Sequence, residues 1–257
     1  MGRQVLKRRI IPVQLLMNGR LVKSKRFADW RDVGDPIKSS AVYNSQYADE
    51  LIFLNIARDR ASVQPLADIM QMVSRECFMP LSVGGGIRSF DDAAYLIQNG
   101  ADKIVINSAA YADKAMLSDL ADRFGSQAVV VAIDVKRSID GNYAAWSNSG
   151  QQLEPVELQA HMHNCQVAGT GEFLIQSIDQ DGTMEGFDID LLRFACKVSN
   201  LPIIGCGGSG NYNHLKEAFL STDVSALACG SLFNFSDSNP LRAKAFLSNY
   251  DLPFKLV

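Results

Sequence analysis

Short apolar runs alternate along the chain with longer amphipathic stretches. Runs at residues 10–16, 51–56, 81–83, 104–106, 128–133, 173–177, 203–205 and 226–228 are too short for helices and rich in β-branched residues. They read as strands buried on both faces. Each is followed by a stretch with helical spacing, at 37–48, 64–75, 90–98, 114–123, 155–167, 189–198, 212–219 and 241–247. Eight such βα units with short links predict an α/β fold, a (β/α)8 barrel. Asp140-Gly141 predicts a small hairpin after the fifth strand. Residues 17–36 lack apolar periodicity and read as a long loop after strand one, a lid or plain surface.

The strand at 128–133 runs straight into Asp134. Burying that carboxylate in the core of the strand would cost several kcal/mol, so a cleft at the strand end is its expected place. Function in parallel α/β folds gathers at the carboxyl ends of strands, so Asp134 is the first candidate for chemistry. The alternative is an aspartate that caps a turn.

The halves of the chain repeat each other at an offset of about 120 residues, by the same self-similarity test used for shorter repeats. Asp49–Ile56 resembles Gly171–Ile178, and Val83-Gly84-Gly85-Gly86 resembles Gly205-Cys206-Gly207-Gly208. Asn107-Ser108-Ala109 resembles Gly230-Ser231-Leu232. Two half-barrels are expected, about residues 1–125 and 126–257, in one domain. Each half ends one strand in a glycine turn and the next in a small-residue turn. Such turns let backbone N–H groups approach an oxyanion. Two of these cradles on one face imply an elongated ligand with two phosphates; tight packing turns are the plainer reading.

Composition narrows the partners. The chain has 257 residues, 47% of them hydrophobic, and a net charge of −3, which gives no sign of nucleic acid or an anionic membrane. No apolar run approaches the roughly 18 residues of a membrane span. The basic amino terminus lacks a cleavage site and does not read as a signal peptide. Cys77, Cys165, Cys196, Cys206 and Cys229 have no metal or redox spacing and fit reduced thiols in a cytoplasmic protein. His161 and His163 read as a solvated helix face rather than a metal site.

Several segments resemble HisF, the cyclase subunit of imidazole glycerol phosphate synthase. They are Arg9-Ile10-Ile11, Asn18–Lys23, Gly34-Asp35-Pro36, Val83–Ile87, Gly125–Asp134 and Ser177–Thr183, and the likeness covers nearly the whole chain. The resemblance implies an ammonia-dependent lyase or cyclase. In that family a HisH-type glutaminase makes ammonia, which crosses the barrel to a bisphosphorylated nucleotide at the mouth. It implies Asp134 as general acid or base and Lys23 as holder of phosphate or a reacting oxygen. Gly86, Asn107, Ser108, Asp181, Gly182, Gly208, Gly230 and Ser231 would line the phosphate sites, with Asp181 ordering its turn or binding a ligand hydroxyl. Arg9, Glu50, Lys103 and Glu172 map onto the ammonia gate, and Asp102 onto the glutaminase contact. No metal or redox cofactor is implied.

The likeness is incomplete at the mouth. Leu15 stands where the family has its strand-one catalytic aspartate, Asn55 at a strand-two aspartate, Ala57 at a hydroxyl residue and Gln176 at a Thr or Asn. Three roles stay open: a HisF paralogue serving another amidation, such as amidino-sugar formation in a surface polysaccharide; a true histidine-pathway cyclase; or a non-catalytic conduit that activates a glutaminase.

Overall fold

The computed structural model describes residues 7–57 and 62–255. Residues 1–6, with the expectation that they are no signal peptide, lie outside the described residues. Strand β1 (Arg9–Met17) leads into a hairpin of β2 (Arg20–Lys25) and β3 (Ala28–Gly34), then helix α1 (Pro36–Ser45). There follow β4 (Leu51–Asn55), α2 (Gln64–Val73), β5 (Leu81–Gly84), α3 (Phe90–Gln98), β6 (Lys103–Ile106), α4 (Ser108–Ala112) and α5 (Lys114–Phe124). The second stretch contains β7 (Val129–Arg137), β8 (Tyr143–Ser147), β9 (Gln152–Glu157), α6 (Leu158–Val167), β10 (Glu172–Ser177) and α7 (Ile189–Val198). The chain then forms β11 (Ile203–Cys206), α8 (Tyr212–Ser221), β12 (Ala226–Cys229), α9 (Ser231–Phe235) and α10 (Pro240–Leu247).

Strands β1, β4, β5, β6, β7, β10, β11 and β12 pair in parallel in that order, and β12 returns to β1. The ring is closed and helices alternate with its strands, so the fold is the expected (β/α)8 barrel. Alternate residues of β1 show why its run is continuously apolar. Ile11, Val13 and Leu15 join the barrel interior, whereas Ile10 and Leu16 face the helical layer. Helix starts follow capping chemistry: Asp35 accepts from the N–H groups of Ile37 and Lys38, so α1 begins at Pro36.

Three expectations need correction. Residues 17–36 are not a loop but the β2–β3 hairpin, whose first strand pairs antiparallel with β1. The pattern hid this because Lys23 and Ser24 are buried polar residues in β2, while β3 is largely exposed. The stretch 155–167 is not all helix; β9 takes it as far as Glu157, and α6 starts at Leu158. Pro155 is tolerated there because β9 is an edge strand. Asp134 does not terminate its strand either. β7 continues to Arg137 because it pairs with β8 through the hairpin expected at Asp140-Gly141. Among the described residues no helix is long and apolar enough to cross a membrane. All five cysteines are free.

Candidate active site

The carboxyl ends of the strands surround a cleft of about 500 Å³. Asp134 lies in it, only 8% exposed, with Oδ2 accepting from Asn107 Nδ2 at 2.9 Å. Burial pushes its pKa up to about 7; the Asn107 bond pulls it back in part, and the charge of Asp181 adds to the rise. A carboxyl that titrates near neutrality is suited to both taking and giving a proton. It accepts a side-chain bond within the barrel mouth and does not cap a turn.

Gly86, Asn107 and Ser108 line the same cleft. Ser108 Oγ accepts from the backbone N–H of Asn148 at 3.1 Å, which ties the β8–β9 turn to this side and leaves the hydroxyl proton free to donate. The other candidates gather in a second, much smaller hollow of about 20 Å³: Lys23, Asp181, Gly182, Gly208, Gly230 and Ser231. The structure therefore brings the phosphate-site candidates together as two groups. Leu15 and Gln176 line both hollows and divide them.

Lys23 is buried, not a solvated loop lysine, and its Nζ donates to the Val13 carbonyl at 2.8 Å. Burial lowers its pKa, opposed by the charge of Asp181. Gly230 makes room for it: a Cβ there would collide with the lysine Nζ. Asp181 Oδ2 accepts from Ser24 Oγ at 2.8 Å and from the Phe27 N–H at 3.2 Å. It thus orders the turn after β10 and fastens the β2–β3 hairpin over the mouth. Burial raises its pKa, offset in part by Ser24, Lys23 and Phe27.

The opposite end carries Arg9, Glu50, Lys103 and Glu172, placed at the amino ends of β1, β4, β6 and β10. Arg9 pairs with Glu50 at 2.7 Å and with Glu172; Lys103 pairs with Glu50 at 2.9 Å and Glu172 at 3.0 Å. Ser82 Oγ also donates to Glu50 Oε1. Each acid is shared by both bases, so the ring is closed and neutral. Its carboxylates are almost fully buried, which is tolerable only because both are paired. Between ring and mouth the barrel interior is lined by apolar side chains, among them Ile11, Val13, Val130, Ala132 and Leu174. Asp102 is exposed beside the ring, with one carboxylate oxygen accepting from the Leu81 N–H at 2.8 Å.

A family model described as "Histidine biosynthesis protein" matches residues 9–238. The chain belongs to this family. It is HisF-like: it is 37% identical to "Imidazole glycerol phosphate synthase subunit HisF" of Alkaliphilus metalliredigens over 98% of this chain and 100% of that one. The HisF subunit of Hydrogenobaculum sp. is 37% identical over 98% and 100%, and that of Streptococcus mutans 37% over 91% and 93%.

Against that family background, Leu15 faces the interior and the cleft, 7% exposed, so no local twist removes it from the mouth. Asn55 Oδ1 accepts from the Ala57 N–H at 3.1 Å. Gln176 lies in register with Asp134 on the neighbouring strand.

Sequence reasoning missed three residues that line the cleft. Trp30 and Glu154 sit on β3 and β9, the strands that periodicity did not reveal, and both line it. Tyr111 of α4 also lines it, stacked on His161 with ring centroids 3.9 Å apart and planes within 7°. His161, behind that ring, is a correction: it is buried, not solvated, and only His163 of the pair is exposed. Burial, with a smaller push from Lys114, lowers the His161 pKa to about 4, so the ring is neutral. Among the described residues no group of three His, Cys, Asp or Glu side chains could hold a metal ion.

Proposed function

We propose that this chain is the ammonia-receiving subunit of a glutaminase complex and that its mouth performs an amidation other than the usual HisF ring closure. A HisH-type glutaminase would dock on the amino-terminal face around Asp102. Ammonia, a small neutral molecule, would pass the Arg9–Glu50–Lys103–Glu172 ring when one pair opens, then cross the apolar interior to Asp134. A ligand with two phosphates would span the Gly86–Asn107–Ser108 side and the Lys23–Gly182–Gly208–Gly230–Ser231 side. Asp134 would serve as general acid or base, and Lys23 would hold a phosphate or a reacting oxygen. A cytoplasmic setting fits the free thiols.

One observation carries the altered chemistry: Leu15 faces the cleft where the resemblance places the second acid. A hydrocarbon side chain transfers no proton, and losing such a group typically costs about 10² to 10⁴ in rate. Amidino-sugar formation is the kind of amidation this reading favours. The test is turnover of the bisphosphorylated HisF nucleotide with ammonium. Slow turnover, well under 1 per second, is expected. Rates on the order of 1 to 10³ per second, usual for good enzymes, would overturn it. Growth without histidine of a cyclase-deficient strain carrying this chain would favour the histidine-pathway reading.

A further inference from the structure

Tyr111 has the features of a reacting group. Its hydroxyl oxygen is buried and makes no hydrogen bond. A buried hydroxyl left unsatisfied typically costs about 1–3 kcal/mol. Phenylalanine would pack as well without that cost, so the hydroxyl needs a partner from outside the chain. The stack on His161 holds the plane of its ring. Burial first, then the charges of Asp134 and Glu154 and a smaller contribution from Cys165, push its pKa well above the usual phenol range. The phenol therefore keeps its proton at any working pH. In the lining of the same cleft, Asn107 donates its amide N–H to Asp134 and keeps a buried Oδ1 without a partner. A ligand atom group entering here meets one free donor and one free acceptor, both held in place.

We propose that the Tyr111 hydroxyl is the second proton-bearing group of this mouth, acting opposite Asp134 in place of the acid that Leu15 displaces. As ammonia nitrogen bonds to an electrophilic carbon of the ligand, the carbon's π pair moves onto its oxygen. Tyr111 donates a hydrogen bond to that oxygen, and the Asp134 carboxylate takes a proton from the nitrogen. No net proton leaves the phenol. A buried donor aimed at developing charge is typically worth about 10²–10³ in rate. His161 is a positioning residue that holds the ring. The proposal rests on the ammonia-receiving reading above.

Three measurements on Tyr111→Phe test it. Its melting temperature should equal or exceed that of the parent, because the lost hydroxyl had no bond; a clear fall means the hydroxyl is a structural donor and overturns the proposal. With ammonium and the bisphosphorylated HisF nucleotide, kcat should drop about 10²–10³-fold while KM stays within about threefold; an unchanged kcat overturns it. The parent chain labelled with 3-fluorotyrosine should show one fluorine resonance that inflects as Asp134 titrates near pH 7, and Asp134→Asn should abolish the inflection. No such inflection places the hydroxyl away from Asp134 and overturns the proposal. If the parent does not turn over that nucleotide, the choice of substrate fails, while melting and fluorine titration still decide the role of Tyr111.

Discussion

The two ends of the barrel hold buried polar groups in opposite conditions. At the amino-terminal end, two acids and two bases satisfy one another through shared ion pairs, and Ser82 adds a further bond. At the mouth, Asp134 has one side-chain partner, while Asn107 Oδ1 and the Tyr111 hydroxyl have none. Closed pairing stabilises and excludes water. Incomplete pairing beside a large cleft leaves bonding capacity for a ligand. The amino-terminal end keeps the four charged residues that the HisF resemblance expects, whereas the mouth is where the chain departs from it, with Leu15 facing the cleft.

The contrast can be broken by substitution. The largest effect is expected from Asp134→Asn, which should cut ammonia-dependent product formation by about 10²–10⁴. Glutaminase stimulation by the same variant should persist, since the ring is untouched. Product formation at the parent rate would leave only the conduit reading. Glu50→Ala removes a partner shared by Arg9 and Lys103 and leaves an uncompensated charge. Breaking a buried pair in this way costs about 3–5 kcal/mol, which urea unfolding would register.

Stability against pH should also separate the ends, because the large shifts near the mouth are set by burial. The Asp134 carboxyl has a pKa of 3.8 when unfolded and about 7 when folded. Below pH 3.8 it is protonated in both states and has no effect. Between the two values the unfolded chain releases a proton that the folded chain keeps, so stability falls as pH rises, with the full penalty above pH 7. Three units correspond to roughly 4 kcal/mol at most. Asp134→Asn should therefore unfold at higher denaturant than the parent at pH 8 and at about the same concentration near pH 3.5. His161 runs the other way: its pKa falls from 6.5 to about 4, so its contribution is complete above pH 6.5 and lost as pH drops toward 4. Unfolding of Asp134→Asn at pH 8 and pH 5 exposes that contribution with the Asp134 carboxyl removed.

The smallest expected effect is at Gly230. Replacement by Ala would push the Lys23 ammonium from its place. Loss of one charge-assisted hydrogen bond predicts roughly tenfold weaker binding of a phosphorylated ligand, measurable by calorimetry.

The barrel was legible in the sequence because its strands are buried on both faces, and continuous apolar runs such as Val129–Ile133 announce that directly. Asp134 was legible because a carboxylate directly after such a run has few places to go. The β2–β3 hairpin was hidden because what buries Lys23 and Ser24 comes from Val13 on the paired strand and from Asp181 and Gly230, remote in sequence. β9 is an edge strand with little to bury, so its pattern resembled the start of a helix. His161 and Tyr111 meet across fifty positions of chain, and no local pattern records a ring stack of that kind. The gate candidates came from resemblance, whereas the glycine and small-residue turns of the phosphate candidates were legible in the internal repeat; the structure gathers the latter in two hollows.

Leu15 and Gln176 border both hollows. Any molecule that reaches from one anchoring end to the other must drape across this saddle of a branched alkyl group and an amide. Under the two-phosphate proposal its midpoint would be read by contact shape and a neutral dipole, and its extremities by charge. New preferences could arise at those two positions without disturbing either grip.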